Sequence, residues 1–253
     1  MAHFDTAADL GSFRVSLQLT VRRYFTQKPQ PEPAFTTGNE YLFVPTAFTW
    51  NLPSGFTCPG AVACLTYADE KTGAITNGKD QTFKCYSAVT ERFPAVRERS
   101  WANWRAVQKK SPEEVARTID KVWNRKARYV RIHAGGDFFS QDYFDGWLIV
   151  CRNHPKVRFW AFTKSLPFWL ARLGEIPPNL NLQASYGGKY DDLIELHGLK
   201  SARVVYSREE ATELGLKLDT DDILAAYGDA SFALMENFTN KRGSASRSDT
   251  SQT

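Results

Sequence analysis

The chain has 253 residues, 42% hydrophobic and 24% charged, proportions that suit a soluble globular protein. A chain this long builds a core that needs neither disulfide nor metal for stability, so cysteines that bind something do so for chemistry. Its net charge of +4 is mildly basic and falls short of the bias of a dedicated nucleic-acid binder.

The opening residues, MAHFDTAADLGSF, have no basic start and no apolar run, so no secretory signal is read there. Stretches such as WLIVC (147–151) are too short to span a bilayer. A cytoplasmic location is expected, in which thiols stay reduced. Residues 13–26 alternate apolar and polar positions in part and read as an N-terminal strand, with a proline-rich connector completing 13–35. YLFVPTAFTW (41–50) is a second β-type run and leads into a cysteine-bearing loop at 56–88. SPEEVARTIDKVWNRK (111–126) reads as a helix, with Ser111 as N-cap, Pro112 at the first helical position and Val115, Ile119, Val122 and Trp123 at helical spacing.

From residue 128 a rhythm sets in. RYVRIHAGGD (128–137), VRFWAFTKS (157–165), LNLQASYGG (180–188) and ARVVYS (202–207) read as strands, and ASFALMEN (230–237) as a last one. Helical segments at 139–155, 167–175, 191–199 and 209–216 separate them. Such alternation implies βαβ units and a parallel sheet of about six strands. The fold class expected is α/β, a partial (βα)-repeat, TIM-like barrel with an N-terminal β extension, forming one domain over 1–239. The small, polar stretch 240–253 reads as a disordered tail.

The polar residues cluster where strands stop, which in parallel α/β folds is the edge that carries the active site. Gly135, Gly136 and Asp137 follow one strand, and two glycines let backbone approach a ligand while a carboxylate accepts from an ammonium group. His133, one alternation earlier, is placed to point into the barrel, although a hydrogen-bonded core histidine is an equal reading. Thr163, Lys164 and Ser165 suit a carboxylate or phosphate. Gln183 and Ser185 are candidates by strand-end position alone.

Cys58 and Cys64 are separated by five residues, and Cys85 follows after twenty more. Structural zinc sites show close pairs such as CxxC, and no pair here fits; His133 and His154 stand at no motif spacing. Three thiolates without a near fourth suggest an iron–sulfur cluster with one iron left for another ligand. TG and NG in the intervening stretch are turn formers, so a hairpin would return Cys85 to Cys64. Core filling is the alternative, but the segment's Gly, Pro, Asn and Thr are loop chemistry. Cys151, beside Trp147, Leu148 and Val150, reads as core.

NLPSGFTCPGAVACLTYADEKTGAITNGKDQTFKCYSA, with RFPAVRERSWANW, VRIHAGGDFFSQDYFDGW and FWAFTKS, resembles the phage "gene product eighty-eight" family of actinobacterial viruses over roughly residues 40–240. More distantly the chain resembles radical S-adenosylmethionine (SAM) enzymes and related phage proteins whose cysteine loop ends in CYA. Those proteins carry three cluster cysteines after the first barrel strand and a GGE-type motif after the second, which holds the amino group of SAM. The resemblance implies a [4Fe–4S] cluster on Cys58, Cys64 and Cys85 and SAM near Gly135, Gly136 and Asp137. The cysteine spacing departs from the usual CxxxCxxC. It also implies a phage protein in the cytoplasm of an infected bacterium, an enzyme acting on a small molecule, a nucleotide or a macromolecule. The competing reading is a nucleic-acid-binding or processing protein with a structural metal at the cysteines, using the basic segment 92–128 with Trp101 and Trp104 interleaved. Solvated helix faces account for such charge as well.

Overall fold

A computed structural model describes residues 31–236. The strand expected within 13–26, the start of the connector and the tail 240–253 lie outside the described residues. In chain order, β1 (Phe48–Trp50) leads into the cysteine segment, where β2 (Thr66–Ala68) and β3 (Ile75–Asn77) pair antiparallel as a separate hairpin. Helices α1 (Tyr86–Thr90), α2 (Pro94–Val107) and α3 (Pro112–Lys121) follow. Then come β4 (Tyr129–Ile132), α4 (Gln141–Asn153), β5 (Arg158–Thr163), α5 (Leu166–Leu170), β6 (Leu180–Ser185) and α6 (Asp192–Leu196). The described chain ends with β7 (Ser201–Val205), α7 (Arg208–Glu213), β8 (Lys217–Leu218), α8 (Ile223–Tyr227) and β9 (Phe232–Met235).

Seven strands form one sheet in the order β1-β4-β5-β6-β7-β9-β8, and every pairing in it is parallel. The expected count of about six is one short, because β8 is a two-residue strand with no pattern of its own. The α/β class and the parallel sheet are as expected. Closure into a barrel is not formed among the described residues: β1 and β8 stand at the two edges. Up to β7 each new strand is laid on the same side of the last. Right-handed crossovers then send every connecting helix to one face.

That face holds the main core. Val130, Ile132, Phe159, Ala161, Leu180, Leu182 and Ala184 from the strands pack with Val115, Ile119, Trp147 and Cys151 from the helices. The residues between them, Trp160, Asn181 and Gln183, turn to the other face, as the two-residue period of a strand requires. There α8 lies against them. Asn181 Nδ2 donates to Ala225 O at 2.9 Å, Arg158 Nε to Ala226 O at 2.6 Å and Trp160 Nε1 to Asp222 Oδ2 at 2.9 Å. A five-residue helix thus covers the face opposite the main core near the amino ends of β5 and β6.

Local chemistry sets the boundaries. Ser111 and Glu114 form a reciprocal capping box at the start of α3, with Pro112 inside the first turn. Of the apolar run 41–50 only Phe48–Trp50 is strand, since Pro45 removes a ladder donor and Leu42 and Phe43 fold back onto the α8 side. The segment 167–175 divides into α5 and a 3₁₀ turn, Leu173–Glu175. No helix among the described residues is long and apolar enough to cross a membrane.

Candidate functional site

At the carboxyl edge of the sheet lies a cavity of about 180 Å³. One wall is the cysteine loop, with Cys58, Cys64 and Cys85. The other is made of strand ends: His133 to Asp137 after β4, Thr163 at the end of β5 with Lys164 just after it, and Ser185 at the end of β6. Phe162, Val204 and Leu234 give it an apolar floor. All three loop cysteines, and most of the strand-end candidates, therefore meet at one place. Ser165 and Gln183 do not line it. Ser165 Oγ donates to Phe138 O at 2.7 Å, and Gln183 is fully buried against α8, donating to Ala225 O.

The cysteine loop is seated by backbone. Val62 N and Ala63 N both donate to Gly187 O, at 3.1 and 2.8 Å, and Lys189 N donates to Gly60 O at 2.9 Å. Gly60 is pressed so close to β5 that a Cβ there would stand 2.2 Å from Lys164 O. The β2–β3 hairpin then returns the chain, and Thr82 N and Phe83 N donate to Ala63 O just before Cys85. The hairpin read from the TG and NG turns is thus the device that brings Cys85 beside Cys64.

Gly135 and Gly136 serve the same close packing. Leu52 N donates to Gly135 O at 2.9 Å, while Asn51 Oδ1 accepts from Ala134 N and Gly135 N. A Cβ on Gly135 would lie 2.0 Å from Ser87 Oγ, and Gly136 has φ +83° with Leu52 and Thr57 against it. Asp137 is buried and spends its carboxylate on the loop. Oδ1 accepts from Phe138 N and Thr163 Oγ1 (2.7 and 2.6 Å), and Oδ2 accepts from Lys164 N at 2.8 Å. These three contacts fix the loop between β4 and β5.

His133 sits as a hydrogen-bonded core histidine, one of the two readings its sequence position left open. Ile132 faces the helices and Arg131 the concave side, so strand alternation would turn His133 inward. Its φ of +67° breaks the alternation. The ring packs on Phe138, Tyr143 and Trp147, and Nε2 lies 2.9 Å from the Tyr143 hydroxyl. Burial, helped by Arg131, drives its pKa down to about 3, so the ring is neutral. It borders the cavity as a structural residue.

The thiols differ in their surroundings. Burial pushes the Cys58 thiol well up, and Asp137, Cys85 and Cys64 push the same way against the Gly55 amide. Burial also raises Cys85, but the Ala88 and Ser87 amides at the start of α1 and the Ser54 hydroxyl oppose it. The three thiols thus lie within electrostatic reach of one another. Cys151 is fully buried in the helix layer, as expected. No group of three or more His, Cys, Asp or Glu side chains among the described residues is placed to hold a single metal ion.

Sequence reasoning missed the inward layer below the cavity. Arg131 NH1 pairs with Asp222 Oδ2 at 2.9 Å, its NH2 donates to the Tyr86 hydroxyl at 3.0 Å, and the guanidinium lies over Phe162. The signal was present in the alternation of β4 and β5, and in Tyr86 directly after Cys85. In the basic segment 92–128, Arg97 is buried and donates to Glu91 O and Glu70 O, tying the hairpin tip to α1. Arg105 pairs with Glu70. Trp101 is buried against Phe56 and Trp104, so these cations and rings serve packing in part.

Comparison with known proteins agrees with the resemblance to the phage gene product eighty-eight family and shows none to radical-SAM enzymes. A stretch of 125 residues is 32% identical to the Gene 88 protein of Mycobacterium phage L5, covering 45% of this chain and 46% of that protein. Another of 120 residues is 28% identical to the Gene 88 protein of Mycobacterium phage D29, covering 45% of each. The matched stretch spans less than half the length of either relative. No solved structure matches. The family profile described as Gene product 88 matches residues 21–252, and the chain belongs to that family.

Proposed function

We propose that Cys58, Cys64 and Cys85 hold a [4Fe–4S] cluster and that the cavity beside it takes SAM or a closely similar amino-acid-bearing ligand. The observation that carries this reading is the convergence of three loop cysteines on one cavity at the carboxyl edge of a parallel sheet wound in one direction. The donor set fits the group. It consists of soft thiolates, which suit iron–sulfur clusters. Of the His133 imidazole, Nε2 is engaged with the Tyr143 hydroxyl, while Nδ1 is buried without a hydrogen-bond partner.

Cys58, Cys64 and Cys85 would hold the cluster, which would supply an electron and one iron open to a further ligand. The chain's own part is to bind and orient that ligand. Lys164 Nζ, which donates to Ser185, reaches the cavity as a cation for a carboxylate. Asp137 holds the β4 and β5 ends in register through Thr163 and Lys164 N, which keeps Gly135 and Gly136 against the cysteine loop. Phe162, Val204 and Leu234 keep water from the floor.

Calorimetric titration of SAM into anaerobically reconstituted protein tests the ligand half. Wild type should bind, and Lys164→Met should weaken binding about tenfold with iron content unchanged. Protein with a full cluster and no SAM affinity would remove SAM from the account.

A further inference from the structure

The amino edge of the sheet, opposite the cavity, has a chemistry of its own. Every pairing in the sheet is parallel, so the connections that lead into its strands all reach this edge. They are basic. Arg125, Lys126 and Arg128 precede β4, Lys156 precedes β5, Arg158 opens β5 and Lys200 precedes β7. The carboxylates in these connections are Glu40 before β1 and Asp229 before β9, and Asp221 comes near through its carbonyl, which accepts from Phe43 N. No carboxylate pairs with any of the six cations among the described residues. Arg128 donates to Arg125 O and Ala127 O, and Arg158 to Ala226 O and Pro178 O, neutral acceptors that leave both charges uncompensated. In a chain of net charge +4, six such cations on one edge are a concentration.

Rings stand among them. Tyr41, in the loop before β1, is 75% exposed, and Tyr227, at the end of α8, is 51% exposed with Arg158 over its ring. Phe43 joins the two regions, lying 5.9 Å from Tyr227 and 5.6 Å from Tyr129 between ring centroids. Tyr129 also lines a groove of about 660 Å³ with Lys126, Arg128, Thr37, Thr46 and Phe48. Cations along a groove suit a phosphate backbone, and open aromatic faces suit unpaired bases, which a duplex keeps stacked on one another. We propose that this edge binds single-stranded nucleic acid, with phosphates on Arg125, Lys126, Arg128 and Lys156 and a base stacked on Tyr41. The site lies across the sheet from the cavity and needs neither cluster nor SAM.

Fluorescence anisotropy of fluorescein-labelled, twelve-nucleotide oligo(dT) and oligo(U) with the full-length, cluster-free chain measures this binding. Four phosphate contacts give a slope of log Kd against log[NaCl] of about 3, so affinity should fall roughly fiftyfold between 50 and 200 mM NaCl. Lys126→Ala combined with Lys156→Ala, both exposed, should lower that slope by about 1.4 and weaken binding roughly tenfold or more at 50 mM. Tyr41→Leu should weaken binding about tenfold with the slope unchanged, and Tyr41→Trp should restore it. Arg92→Ala combined with Arg117→Ala, exposed cations outside these connections, should leave Kd within about twofold. Binding of either strand with this pattern supports the site, and the tighter strand identifies the sugar it prefers. Absence of binding at 50 mM NaCl overturns the proposal, as does binding that survives both the lysine and the Tyr41 changes. Equal or tighter binding to a duplex of the same length, or to phosphatidylglycerol vesicles, overturns it as well.

Discussion

Glu91 shows how much one buried side chain near the site sets for the whole chain. Burial, opposed by Ser54 and by Arg97 from α2, pushes its carboxyl from 4.5 up to about 7. Between those values the folded chain binds a proton that the unfolded chain releases. Glu91 therefore favours the fold fully below about pH 4.5, and that contribution is lost as pH rises through 7, about 3 kcal/mol in all. Glu91→Gln should accordingly match wild type near pH 5 and exceed it by roughly 2–3 kcal/mol at pH 8 in denaturant unfolding. A gap between the two proteins that does not change with pH would show that folding leaves the Glu91 carboxyl unshifted. The same scale marks what sequence could and could not say. Gly135, Gly136 and Asp137 were legible as a strand-end motif, and the three cysteines as a set. The direction of His133 was not, because a left-handed φ at a non-glycine residue is imposed by Tyr143, Phe138 and Trp147, which lie several residues further on.

Among the elements, the cysteine loop depends on contact with strand ends, to which one isolated bridge, Ala61 to Gly188, ties it. Gly60 sits on Lys164 O, and Gly187 O takes two donors from Val62 and Ala63. Gly60→Ala must push Cys58 and Cys64 off that surface while leaving the sheet's own hydrogen bonds alone. The expected outcome is unchanged far-ultraviolet circular dichroism with iron retention after reconstitution cut severalfold. Full iron retention would mean that the loop has another way to seat. The hairpin was readable from its turn chemistry: Asp69 Oδ1 accepts from Lys71 N and Thr72 N, and Gly73 and Gly78 bound the return strand. The helix α8 was not readable. Its five residues carry too little periodicity, and what forms it is distant: Asp219 accepts from Ala225 N, and Asn181 and Gln183 donate to Ala225 O.

For the whole molecule, the strand–helix rhythm from residue 128 correctly implied a parallel sheet, because β-branched and aromatic runs buried on both faces alternate with amphipathic helices. Whether such a sheet closes is decided by its edges, and here β9 enters between β7 and β8 while α8 occupies the concave side. What the winding does fix is that every strand from β4 to β7 points its carboxyl end at the same rim, where the cysteine loop lies across it. Iron and acid-labile sulfide analysis of anaerobically reconstituted protein measures the consequence directly. The account predicts about four irons and four sulfides per chain, lost in Cys58→Ser, Cys64→Ser or Cys85→Ser and retained in Cys151→Ser. Protein that takes up no iron, or that holds stoichiometric zinc at these cysteines instead, would contradict it.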